Sequence, residues 1–236
     1  MQPTDSDLAR LESSADELLA TLTLDRPPFV VEFAGSPKAG KSTTIDILTH
    51  FFKRRGFKVW APTEGASKRT PYHLRRDLVA FNTWTLNYAI SELLVAYHNV
   101  DRHHLIMLDR GAFDSLAWMG LLKKRGNITE EEFAVFRAFA LHPKWSNLVS
   151  RLYLFRCPPE ESLKREHEAK LTRGPGTAMN PDMLRDLLEQ YQDLATALST
   201  YPVQVVETSD TTRPLSTSYR LAIDLLAMMQ GGARGS

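Results

Sequence analysis

Nine residues, GSPKAGKST at positions 35–43, hold the densest chemistry in the chain. Gly35 to Ser42 fit G-x-x-x-x-G-K-[ST], the spacing of a phosphate-binding loop, and the run lies between an apolar stretch and an amphipathic one. Gly35 and Gly40 let the backbone wrap. Ser36, Pro37, Lys38 and Ala39 supply the turn, and Thr43 enters the helix beyond it. The loop's N–H groups then face a β-phosphate at the positive end of that helix. Lys41 is placed to bridge β- and γ-phosphates, and Ser42 to offer its hydroxyl to Mg²⁺. A second segment, LIMLDRG at 105–111, ends an apolar strand with Asp109 and Arg110. In open α/β sheets that strand edge is where ligands bind. Asp109 there either holds a Mg²⁺-bound water or caps the helix starting near Phe113. Arg110 has a planar fork suited to a phosphate or an acceptor group.

The elements that must position these groups are readable as alternating runs. FVVEF (29–33), FKVWA (57–61), LIMLD (105–109), RLYLF (151–155) and VQVVE (203–207) have strand character. Between them, STTIDILTHFFKRR reads as a helix closed by Gly56, which suits a left-handed cap. The segment from Leu74 to about Asn99 reads as one long helix, with Leu86, Ile90, Leu93 or Leu94, and Tyr97 on a shared face. DSLAWMGLLKKRG follows. Thr129 with Glu132 forms a capping box, and Asn180 before Pro181 opens another helix. Strands alternating with helices imply a parallel sheet covered on both faces, because crossovers are right-handed. The expected fold class is therefore α/β in three layers.

Bulk properties narrow the function classes. The chain has 236 residues, 43% hydrophobic and 24% charged, as expected for one ordinary domain with a sizeable core. A formal charge of +1 and a pI near 7.9 give no global bias toward nucleic acid or membrane. The polar N-terminus and the lack of any long apolar run point to a soluble protein with no membrane partner. The single cysteine, Cys157, lies in an apolar context and fits a reducing cytoplasm. Residues 1–28 read as an N-terminal helix and lead-in, 29–230 as the main domain, and 231–236 as a flexible tail.

Taken together, the loop at Gly35 to Ser42, the segment DRGAFDS at 109–115 and YLFRCPPEESLKRE at 153–166 resemble the thymidylate kinase and deoxynucleoside kinase group of P-loop kinases. The resemblance implies a five-stranded parallel sheet of order 2-3-1-4-5, an ATP donor with Mg²⁺, and a small nucleoside or nucleotide acceptor. It also implies that Glu64, in APTEGASKR, accepts the proton of the attacking hydroxyl. The bland alternative for Glu64 is a surface carboxylate paired with Lys68 or Arg69. A basic lid is implied at about 164–180, from which Arg165 or Arg173 would neutralise the transferring group; helical spacing equally allows Arg165 to pair with Glu161 or Glu168. Where thymidylate kinases usually carry an aromatic residue after the Asp-Arg pair, this chain has Gly111.

Acceptor recognition is expected from Phe81, Trp84, Asn87 and Tyr88, which could hold a planar base or simply pack the core. Arg75 and Arg76 are loose counterparts of an acceptor-side arginine. The run SKRTPYHLRR keeps open a kinase for a polynucleotide hydroxyl, and a regulatory switch with slow hydrolysis of a nucleoside triphosphate is the rival from another class. A homodimer, common in this kinase group, is compatible with the sequence, which marks no face for it.

Overall fold

In a computed structural model, residues 2–62, 69–99, 101–168, 179–198, 201–209 and 213–233 are described. Helix α1 (Asp5–Leu19) starts at Thr4, whose hydroxyl accepts from Asp7 N while the Asp7 carboxylate accepts from Thr4 N at 2.9 Å. Strand β1 (Phe29–Gly35) leads into α2 (Lys41–Arg54), and β2 (Val59–Trp60) follows. A 3₁₀ turn (Tyr72–Arg76) precedes α3 (Leu78–Tyr97), β3 (Leu105–Asp109) and α4 (Ala112–Lys124). Next come α5 (Glu130–Ala140), the short α6 (Pro143–Ser146), β4 (Arg151–Arg156) and α7 (Pro159–Glu168). The described chain closes with α8 (Pro181–Ala197), β5 (Val203–Glu207) and α9 (Pro214–Ala233).

The five strands form one parallel sheet in the order β2-β3-β1-β4-β5, as the resemblance implied. Alternation along each strand divides the core in two. Val31, Phe33, Met107, Tyr153 and Phe155 face the layer containing α1, α2 and α9. Val30, Ala34, Ile106, Leu108, Leu152 and Leu154 face the layer of α3, α4 and α8. With both faces covered, the central strands are apolar runs rather than alternating ones.

Several expectations hold at the level of single hydrogen bonds. Gly56 has φ 87, in the left-handed region after α2. Thr129 and Glu132 form the reciprocal capping box, and Asn180 Oδ1 accepts from Met183 N at 2.8 Å. Two expectations need correction. FKVWA pairs only over Val59–Trp60, at the edge of the sheet beside β3. The helix expected from Leu74 begins instead at Leu78, because Asp77 Oδ1 accepts from Val79 N at 2.9 Å and Ala80 N at 3.0 Å. That cap separates the 3₁₀ turn from α3. Among the described residues no helix is long and apolar enough to cross a membrane.

Candidate active site

The loop after β1 is held on its underside by β4. Ser36 N donates to Phe155 O at 2.9 Å, so strand pairing continues into the first loop residue. Gly35 has φ 128, and a Cβ there would sit 2.0 Å from Phe155 O. Only glycine fits such an approach. Lys38 and Gly40 also take positive φ, at 57 and 91, which turns the chain back into α2. The first turn of α2 has no acidic side chain, so its positive end remains free to attract an anion.

From outside, α7 braces the same loop. Ser162 Oγ donates to Pro37 O at 3.0 Å, Arg165 Nη1 donates to Lys38 O at 3.0 Å, and Lys38 pairs with Glu166 at 2.9 Å. Arg165 also donates to Glu161 at 2.8 Å and to the carbonyl of Ser209, just after β5. The structure thus places Arg165 against the loop backbone, with its guanidinium engaged by Lys38, Glu161 and Ser209.

At the mouth, Lys41 and Ser42 meet the end of β3. Lys41 is 5% exposed, and its ammonium donates to Gly35 O and Ser36 O, each at 2.8 Å. Ser42 Oγ donates to Asp109 Oδ2 at 2.6 Å. Asp109 therefore does not cap α4; it faces the loop hydroxyl across neighbouring strands. A hydroxyl and a carboxylate are the hard oxygen donors that suit Mg²⁺. The glycine-shaped cradle with a lysine at its floor suits a polyphosphate.

The cap of α4 comes from a residue that sequence reasoning passed over. Glu32, fully buried in the middle of β1, accepts from Gly111 N at 3.1 Å, Asp114 N at 2.9 Å and Phe113 N at 3.4 Å. Burial, assisted by the Asp114 charge, pushes its carboxyl up to about 8 against those three donors. A Cβ at Gly111 would lie 2.3 Å from Glu32 Oε2. The glycine after Asp109 and Arg110 is thus a space requirement of the buried carboxyl. The available signal was a lone carboxylate inside an otherwise apolar strand.

Asp114, also missed, lies beside it. Its Oδ1 accepts from Gly35 N at 3.0 Å and from Tyr191 OH at 2.6 Å, while Oδ2 accepts from Arg110 Nη1 at 2.7 Å. Burial opposes its ionisation, but Arg110, Lys41, Tyr191 and the Gly35 N–H hold the carboxyl below its usual range. Arg110 itself has φ 65, a left-handed conformation uncommon outside glycine.

The residues expected to recognise an acceptor lie on α3 and the turn before it. Trp84 and Tyr88 stack on one another, with ring centroids 5.2 Å apart and planes 7° from parallel, so they form one slab. Arg69 donates to Tyr88 OH at 2.5 Å, lies over its ring, and is 4.0 Å from Glu92. Burial, then the Glu92 carboxylate, raises the Tyr88 phenol above its ordinary value. Asn87 is exposed and donates its amide to Thr83 O at 2.8 Å, and Phe81 is half-buried. Arg75 and Arg76 are exposed on the 3₁₀ turn. Glu64 and Arg173 lie outside the described residues.

No protein-family model matches the sequence, and no curated protein does. Solved structures do. The deoxyadenosine kinase of M. mycoides with bound dCTP superposes with a TM-score of 0.59 at 14% identity, covering 84% of this chain and 99% of that one. The same enzyme with bound dATP gives a TM-score of 0.59 at 16% identity, covering 84% of this chain and 100% of that one. The chain has the P-loop kinase fold of these deoxynucleoside kinases.

Proposed function

We propose that the chain is an ATP- and Mg²⁺-dependent kinase that transfers a phosphoryl group to a hydroxyl or phosphate of a nucleoside, nucleotide or similar small molecule. The observation that carries this reading is the 2.6 Å contact between Ser42 and Asp109, made at the end of a glycine loop whose lysine is buried beneath it. The loop amides and Lys41 bind the donor phosphates, and Ser42 with Asp109 would hold Mg²⁺. When bound, the metal supplies positive charge to the β- and γ-phosphate oxygens. For a hydroxyl acceptor, its oxygen bonds to the γ-phosphorus as the bond to the β–γ bridging oxygen breaks, and ADP leaves. Glu64 takes the hydroxyl proton in this reading. Arg110 steadies the transferred group from the β3 side, with Arg173 as the lid candidate.

A polynucleotide acceptor is the second reading. It is supported by the exposed cluster of Tyr72 (76% exposed), His73, Arg75 and Arg76 on the turn beside α3. Exposed cations interleaved with an aromatic ring are the chemistry of single-strand binding.

One assay separates these readings. The protein is incubated with γ-labelled ATP and Mg²⁺ against pooled nucleosides, pooled monophosphates and hydroxyl-ended oligonucleotides, with Lys41→Ala as control. Label in a small-molecule pool, absent from the control, is the expected result. Label on oligonucleotides alone would transfer the assignment to a polynucleotide kinase. Slow phosphate release with no acceptor labelled would indicate a regulatory switch.

A further inference from the structure

Asp114 is 2% exposed in the first turn of α4, yet it does not cap its own helix, since Glu32 accepts the N–H groups there. Both of its oxygens are committed elsewhere. Their donors come from separate places in the fold: the end of β1 at Gly35, the β3–α4 junction at Arg110, and α8 at Tyr191. The carboxylate is bonded to Arg110 on the β3 side and also senses the charge of Lys41 on the donor side. Arg110 is one helical turn away in sequence, its side chain is 21% exposed, and its backbone is in the left-handed region. A long cationic side chain at a site mouth loses orientation unless something fixes it. A partly buried, charge-assisted hydrogen bond to a carboxylate that is itself held by a phenol and a backbone N–H does so.

We propose that Asp114 is the positioning residue for Arg110: it ties the guanidinium to the first glycine of the phosphate loop, so that Arg110 meets the transferring group in one orientation. Tyr191 holds the carboxylate in place for that task. The proposal rests on the kinase reading above and deepens it.

The test compares wild type, Asp114→Asn, Arg110→Ala, the double variant and Tyr191→Phe. The readouts are kcat, KM for ATP and acceptor, and the Kd of a fluorescent ATP analogue. Asparagine keeps an oxygen for Gly35 N and Tyr191 OH but presents an amide donor to Arg110. Asp114→Asn should lower kcat about a hundredfold while the analogue's Kd moves less than about threefold. Arg110→Ala should act similarly, and the double variant should fall within about threefold of Arg110→Ala alone, because both remove one interaction. Tyr191→Phe should lower kcat about fivefold at unchanged nucleotide Kd, by loosening the carboxylate and the Arg110 guanidinium that the phenol also meets.

Wild-type kcat in Asp114→Asn, or losses that multiply in the double variant, would overturn the proposal. So would a nucleotide Kd that weakens in step with kcat. If Asp114→Asn does not fold, Tyr191→Phe decides alone: a lowered kcat at unchanged nucleotide Kd supports the proposal, and an unchanged kcat sinks it. A folded wild type that neither transfers nor hydrolyses would remove the kinase reading and this proposal together. An active wild type with an unaffected Asp114→Asn removes only this proposal.

Discussion

The two sides of the candidate site, donor and acceptor in the proposed reading, are built from different materials. On the proposed donor side, the groups offered to a phosphate are backbone groups whose positions are enforced by close contacts: Gly35 against Phe155, Ser36 paired to β4, and Ser162 and Arg165 on the loop carbonyls. The ionisable groups beneath it, Lys41, Asp114 and Glu32, are buried and engaged with one another or with backbone. On the acceptor side the candidates are side chains, many of them exposed, on a helix and a turn: Arg69, Tyr72, Arg75, Arg76, Trp84 and Tyr88. A backbone cradle recognises what every nucleoside triphosphate shares. Side chains on a surface decide what differs between acceptors, and each can be exchanged at small cost to the fold.

Four substitutions would break or sharpen that contrast. The largest effect belongs to Lys41→Ala, which should reduce transfer on the order of a thousandfold while far-UV circular dichroism stays unchanged. Next is Gly35→Ala, where positive φ and the collision with Phe155 O should cost about 3 kcal/mol in urea denaturation. A fully stable Gly35→Ala protein would mean that the loop is looser than its contacts imply.

The third concerns Glu32. Its folded carboxyl titrates near 8, against an ordinary value of 4.5, so the native state binds the extra proton between those limits. The associated stability is fully present below about pH 4.5 and is lost as pH rises through about 8, with a limiting slope of about 1.4 kcal/mol per pH unit. Glu32→Gln, which can keep an oxygen for Gly111 N and Asp114 N, should flatten that dependence. Identical slopes in the two proteins would refute the shift. The smallest effect is expected from Arg69→Ala. It should raise acceptor KM about threefold with ATP KM unchanged, because its contacts to Tyr88 and Glu92 are exposed.

The same contrast explains what could be read from the chain before its structure. The phosphate loop is local: its two glycines, lysine and serine fall within eight positions, and the flanking runs declare a strand and a helix. Capping pairs such as Thr129 with Glu132 are local too. Asp77, directly before the apolar run LVAF, carried a legible cap signal that would have split the long helix correctly. Glu32 and Asp114 were hidden for a different reason. The first is one letter within an apolar strand, and its partners lie about eighty positions away; the second meets Tyr191 across 77 positions. Long-range pairing of this kind leaves no period or motif. The acceptor side stayed open because Trp84 and Tyr88 have the same spacing whether they stack on each other or on a base.

The absence of a side chain at Gly111 reaches beyond its own position. Because the Glu32 carboxyl fills the place of a Cβ at 111, the two positions, 79 apart in the chain, are sterically coupled. Any side chain at 111 requires the Glu32 carboxyl to move out of its place beneath the first turn of α4. Gly111→Ala should accordingly be destabilising with Glu32 present and less so beside a shortened residue 32, an exchange that urea denaturation of the two single variants and the pair would read.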